Sequence, residues 1–289
     1  MTAQEAEGER LYNARLAVPQ WRQIFERWAH ESAAVRASAR ARLDLRYGPH
    51  RMQTLDLFLP AGRPRGTVAY IHGGYWRSLD KSDASIVAPP FTEAGYAVAV
   101  LNYALCPDVS VEVIVEQVRE AAAWLHAHSE EWDAPAQPLF ACGHSAGGHL
   151  AAMLLATDWP AWHAGLPAQL LAGAVCISAL YDLRPLLHVP SVVEATRFTQ
   201  DSACALSPAL MTPPTRAPLL TATGSAENAG FHAQARTIQD RWHAVHAGHV
   251  TCVGHDHFSI LDELTRGNGA IATAALDLMQ QFREIATSR

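Results

Sequence analysis

Residues 143–147 read Gly143-His144-Ser145-Ala146-Gly147, between a short apolar run at 138–142 and an Ala/Leu-rich run at 148–156. The first run reads as a buried strand and the second as a helix, so the five residues must make a sharp strand-to-helix turn. Such a turn holds its central residue in a strained backbone conformation and lifts the Ser145 hydroxyl clear of the sheet edge. Gly143 and Gly147 remove the side chains that would collide there. A turn of this kind presupposes a sheet with helices packed on it.

The rest of the chain predicts that sheet. Short apolar runs at 52–59, 67–71, 97–102, 171–177, 218–223 and 249–253 are separated or followed by helical stretches at 82–94, 111–128, 231–243 and 270–285, the first interrupted at Pro89-Pro90. Strands alternating with helices predict an α/β fold, with a mostly parallel central sheet covered by helices on both faces. Residues 9–46 read as helical: Trp21, Ile24, Phe25 and Trp28 share one face after Pro19, and the basic stretch 36–46 reads as a solvated helix face. Residues 1–46 are thus expected to be a helical arm or cap on a single domain spanning 1–289. Segments 159–167 and 207–218 read as irregular insertions, with Trp159 and Trp162 either in a lid or packed.

Composition narrows the function classes. The 289 residues are 49 % hydrophobic, enough for a large core, and the net charge of −6 argues against a nucleic-acid or membrane-surface binder. The five cysteines include no C-x-x-C pair, and an odd number argues against a complete disulfide framework. Residues 1–10 have no apolar signal-peptide core, and no apolar stretch reaches membrane-spanning length. The expectation is a cytoplasmic protein acting on a small molecule, with self-association left open.

A serine hydroxyl needs a base to become a nucleophile. In a sheet of this kind the order is nucleophile, acid, histidine, the last two following late strands. Glu227 is the first carboxylate past the run 218–223, and His255 and His257 follow the run 249–253. His257 is the better base, because Phe258-Ser259-Ile260-Leu261 looks like a helix start that anchors it. Asp182, Asp240 and Asp256 compete with Glu227 for the acid; Asp182 comes too early, and Asp256 adjoins the base and would point away from it. His72-Gly73-Gly74-Tyr75-Trp76 ends the run 67–71. Backbone N–H groups of Gly73 and Gly74, with that of Ala146, suit an oxyanion hole, and glycines let the backbone approach the oxygen. Tyr75 and Trp76 then line an acyl or aryl pocket, or Trp76 packs beneath the loop. His243, His246 and His249 recur every third residue, but they would not share a face once the helix stops, and no Cys or acid completes a ligand set; no metal and no cofactor is expected.

These motifs together resemble the kynurenine formamidase (arylformamidase) group of the α/β-hydrolase superfamily. The matching pieces are His72 to Trp76, Gly143-His144-Ser145-Ala146-Gly147-Gly148-His149-Leu150, Gly224-Ser225-Ala226-Glu227 and Asp256-His257-Phe258-Ser259-Ile260-Leu261. Tyr12-Asn13, Val18-Pro19 and Tyr47-Gly48 before Leu55-Asp56-Leu57-Phe58 extend the resemblance over most of the chain. It implies the α/β-hydrolase fold, Ser145 as nucleophile, His257 as base and Gly73, Gly74 and Ala146 as oxyanion donors. The acid is Asp in some members and Glu here. The implied reaction is metal-independent hydrolysis of an N-formyl aryl amide, typically N-formyl-kynurenine. Short-chain carboxylic esters and other N-acyl aryl amides are alternatives, and a non-catalytic binding module on the same fold is a remote one.

Overall fold

The computed structural model describes residues 1–38 and 40–287. Eight strands form one sheet: β1 (Ala41–Arg46), β2 (Thr54–Phe58), β3 (Thr67–Ile71), β4 (Ala97–Leu101), β5 (Leu139–His144), β6 (Gly173–Ile177), β7 (Leu219–Gly224) and β8 (His246–Cys252), in the order β1-β2-β4-β3-β5-β6-β7-β8. Among the described residues the β1–β2 and β2–β4 pairings are antiparallel and every pairing from β4 to β8 is parallel. The continuous apolar runs follow from this: β3 to β7 are buried on both faces, so neither face alternates with polar residues.

Three helices precede the sheet: α1 (Ala3–Tyr12), α2 (Ala14–Ala17) and α3 (Trp21–Ser38). The later helices used below are α4 (Ala88–Glu93), α5 (Val111–Ala127), α6 (Ala146–Leu155), α7 (Trp159–Trp162), α8 (Pro190–Thr196), α9 (Gln200–Ala205), α10 (Ala229–Arg241), α11 (Asp262–Thr265) and α12 (Ala270–Thr287). From β3 the chain moves one way across the sheet to β4; from β5 it moves the other way to β8. Right-handed crossovers therefore put the connecting helices on opposite faces. Accordingly α5 packs on α6, while α12 packs on α4. The strand order reverses between β3 and β5, and a crevice opens there outside their carboxyl ends. Ile71 pairs with Gly143, so the segments leaving β3 and β5, which begin at His72 and Ser145, emerge side by side.

Three expectations are corrected. Residues 41–46 are not helix but the edge strand β1. Leu43 and Leu45 alternate with Arg42, Asp44 and Arg46, a period of two that a helical reading of 36–46 overlooks. Nor is Arg36 simply solvated: its guanidinium pairs with the fully buried Asp56 of β2, which also takes a 2.7 Å bond from Lys81 Nζ. That charge cluster fastens α3 to the sheet. Residues 82–94 are two single 3₁₀ turns followed by α4, whose prolines occupy its first positions and start the helix instead of interrupting it. The short helices α8 and α9, at 190–196 and 200–205, have too few turns to show a periodic signal in the sequence.

Candidate active site

Ser145 sits between β5 and α6 with φ 56° and ψ −120°, a conformation that costs energy for any side chain but glycine. The surroundings impose it. A Cβ on Gly147 would lie 1.9 Å from the Ile71 carbonyl oxygen, and one on Gly143 would lie 2.2 Å from that of Gly147. The strand, turn and helix are pressed together so closely that only hydrogen fits at those two positions. The Ser145 N–H is tied to the Ile177 carbonyl at 2.8 Å, which fixes the turn against β6.

His257 follows β8, and its Nε2 lies 3.0 Å from Ser145 Oγ. Its Nδ1–H donates to Glu227 Oε2 at 2.8 Å. Glu227, just past β7, is itself held: its Oε1 accepts from Ser178 Oγ and from the Gly224 N–H, both at 2.6 Å. All four groups come from the carboxyl ends of neighbouring strands. The His257 ring is packed by Phe231 at 4.1 Å and Phe258 at 5.3 Å between centroids, and its carbonyl accepts from His144 Nε2 at 2.7 Å. Burial holds the His144 imidazole well below the ordinary histidine range, so it stays neutral and keeps that bond. Ser178 and His144 were not singled out as site residues by sequence reasoning. His144 lay inside a quoted motif, whereas Ser178 has no sequence signal other than its place after β6.

The competing acids are occupied elsewhere. Asp182 pairs with Arg184 at 2.6 Å. Asp240 is exposed. Asp256 accepts the N–H groups of Phe258 and Ser259, both at 2.9 Å, and so caps the turn that follows His257. His255 faces Glu263 at 3.2 Å and does not reach Ser145.

The loop after β3 lies across the turn. A Cβ on Gly73 would meet the His144 carbonyl oxygen at 2.9 Å, so the two segments touch. Gly74 has φ 101°, and Tyr75 and Trp76 also have positive φ, 52° and 55°. This strain is carried from below: His72 stacks on Tyr103 at 4.4 Å, and Tyr103 Oη donates to the His72 carbonyl at 2.8 Å. The amides of Gly73, Gly74 and Ala146 find no acceptor among the described residues. Three unpaired N–H groups at the meeting point of two strand ends can stabilise an oxyanion.

Trp76 does not line the cavity. It is completely buried beneath the loop, at 5.1 Å from the His149 ring and 5.6 Å from Phe198. Successive left-handed residues turn its side chain inward while Tyr75 faces the site. Tyr75 does line the cavity, and its hydroxyl donates to the Tyr12 carbonyl. That cavity reaches Ser145 and His257. Its far wall comes from the N-terminal helices: Asn13, Ala14, Arg15, Phe25 and Trp28. Phe25 stacks on Trp28 and meets Phe258 edge-on at 5.2 Å, so the arm is packed against the residue next to His257.

Trp159 and Trp162 pack on each other away from this cavity. His246 and His249 do share a face, because β8 carries an irregularity beside Leu219 and Leu220; both meet Thr221 Oγ1, at 3.0 and 2.9 Å. His243 is exposed and does not join them. Among the described residues no three His, Cys, Asp or Glu side chains are placed to hold a metal ion, and no helix is long and apolar enough to cross a membrane.

A serine at a strained strand-to-helix turn, bonded to a histidine that is bonded to a carboxylate, on a sheet of this order, defines an α/β-hydrolase. Comparison with known proteins agrees. The BD-FAE family model matches residues 55–159. Kynurenine formamidase of Salmo salar is 28 % identical over 87 % of this chain and 88 % of its own length. That of Danio rerio is 34 % identical over 62 % of this chain and 61 % of its own. A crystal structure from Silicibacter sp. tm1040, provisionally named a thioesterase, superposes with a TM-score of 0.80 at 34 % identity, covering 91 % of this chain and 96 % of that one. Esterase B from Lactobacillus rhamnosis shares the fold, with a TM-score of 0.67 at 16 % identity over 96 % of this chain and 97 % of that one. The chain belongs to the α/β-hydrolase superfamily, as a hydrolase homologous to the kynurenine formamidases.

Proposed function

We propose that the protein hydrolyses an N-formyl aryl amide, most simply N-formyl-kynurenine to kynurenine and formate. The observation that carries this reading is the cavity over Ser145, walled by the aromatic rings of Phe25, Trp28, Tyr75 and Phe258 and suited to an aryl group. Homology to kynurenine formamidases over most of the chain supports it.

Ser145 Oγ attacks the formyl carbon while His257 Nε2 takes the hydroxyl proton. The charge on the carbonyl oxygen is met by the N–H groups of Gly73, Gly74 and Ala146. Glu227 holds the His257 tautomer and stabilises the imidazolium. The imidazolium then returns its proton to the amide nitrogen, the C–N bond breaks, and the arylamine leaves. Water repeats the sequence on the Ser145 formyl ester, with His257 again as base, releasing formate. The reading requires no metal, since the electrophile is activated by backbone donors.

A substrate panel tests it. N-formyl-kynurenine is expected to have the highest kcat/KM. Because the fit of one extra methyl group is worth only about 1–3 kcal/mol, acetyl aryl amides and activated short-chain esters turn over weakly. A preference for butyryl or longer p-nitrophenyl esters would make the protein a carboxylesterase.

A further inference from the structure

We propose that Arg15 and Arg77 form a carboxylate-binding subsite, so that the protein selects substrates carrying a carboxylate. The proposal rests on the hydrolytic reading above, and because a formyl group bears no substituent, the carboxylate belongs to the amine portion. Both arginines line the cavity that reaches Ser145, and among the described residues no Asp or Glu lines it. Neither has a carboxylate within ion-pair distance among the described residues. Arg15 donates one N–H to Ser78 Oγ at 2.9 Å, and its guanidinium lies 4.5 Å from the centroid of the Trp21 ring. Arg77 donates to the Ser191 carbonyl. Each guanidinium has five N–H donors, so donors remain for a ligand.

Glu9, whose carboxylate feels the Arg77 charge without pairing with it, is held by other donors: it accepts from the Ser191 N–H at 2.7 Å, Ser191 Oγ at 2.9 Å and Asn13 Nδ2 at 2.6 Å. Two half-buried cations thus share a cavity with no anion on its wall. Burial, and then the neighbouring Arg77 and Arg22 charges, press the Arg15 pKa down. A bound carboxylate relieves that repulsion and accepts charge-assisted bonds from both forks. On the same wall, Trp28 keeps a buried indole N–H with no acceptor among the described residues.

The test compares matched ligands that differ only in carboxylate against carboxamide, using the full chain. For 4-acetoxybenzoate against 4-acetoxybenzamide, and for the corresponding formanilides, wild type should favour the acid in kcat/KM by about ten- to a hundredfold. Arg15→Gln and Arg77→Gln should each reduce that ratio about tenfold, mainly through KM, with partial recovery in the lysine variants. Arg22→Gln, outside the cavity, should change the ratio less than about twofold. Equal losses on both members of a pair would make the arginines mere clamps between arm and loop and overturn the proposal, as would a wild-type ratio near one. Binding of 3-phenylpropanoate against 3-phenylpropanamide, followed by tryptophan fluorescence, reads the preference without turnover. Failure of the hydrolytic reading therefore leaves the binding preference intact, whereas failure of the subsite removes that preference from binding as well as from the kinetics.

Discussion

The floor and the roof of the cavity are built in opposite ways. The floor, with Ser145, His257, Glu227 and the amides of Gly73, Gly74 and Ala146, stands on the carboxyl ends of four parallel strands, β3, β5, β7 and β8. Its side chains are almost fully buried and bonded in series. The roof, with Arg15, Phe25 and Trp28, comes from helices that enter no sheet and are held by side-chain contacts. A sheet edge fixes reacting atoms to within the tolerance that proton transfer needs. An arm packed through aromatic rings and a few polar bonds sets shape and charge, which discriminate among substrates. Changes to the floor should therefore cost rate on every substrate, and changes to the roof should alter the ranking of substrates.

The largest expected effects lie in the floor. Ser145→Ala and His257→Ala should each lower kcat by about four to six decades on amides and esters alike, with the fold retained by circular dichroism. Steady-state kinetics with activity within tenfold of wild type would place the chemistry elsewhere. Glu227→Gln should cost about three to four decades, less than either, since the carboxylate orients the imidazole and does not react. In the same assay Asp256→Asn should retain most activity and lose about 1 kcal/mol of stability, the value of a cap. The reverse ranking would move the acid to Asp256.

Stability against pH separates the two regions next. Burial lowers His149 to about 4, and His144 is also held low; they lie on α6 and β5, the two elements that hold Ser145. An unfolded histidine titrates near 6.5. Between those values the unfolded chain binds more protons than the folded one, so stability is full above about pH 6.5 and falls as pH drops toward about 4. His149 alone should account for on the order of 3 kcal/mol of that loss. Urea melts at pH 7 and 4.5 check it, and His149→Gln should flatten the slope. The smallest effect lies in the roof: Tyr75→Phe removes the bond to the Tyr12 carbonyl, worth about 1 kcal/mol, and should raise KM about fivefold with kcat little changed. An equal fall in kcat would put Tyr75 in the floor.

The same division explains what the sequence could tell. The floor was legible because each part sits at a strand end with a local signature: glycines at 143 and 147 where no Cβ fits, the glycine pair after β3, and the order Ser145, Glu227, His257. The roof was legible only as helix. Nothing local says that Arg15 meets Ser78, or that Phe25 meets Phe258, because those contacts are closed by tertiary packing across 63 residues in the first case. Residues 41–46 read as helix because a mostly exposed edge strand carries charges that resemble a solvated helix face. Whether Trp76 lines the cavity or packs beneath the loop stays open in the sequence, because spacing in a loop does not reveal left-handed turns.

The chemistry assigned to the floor is acyl transfer at Ser145. Partial labelling with a fluorophosphonate, read by peptide mapping alongside formamide turnover, tests it most directly. A single adduct is expected on the peptide containing Ser145, with N-formyl-kynurenine hydrolysis falling in proportion to the labelled fraction. An adduct elsewhere, or complete labelling of Ser145 with turnover intact, would contradict it.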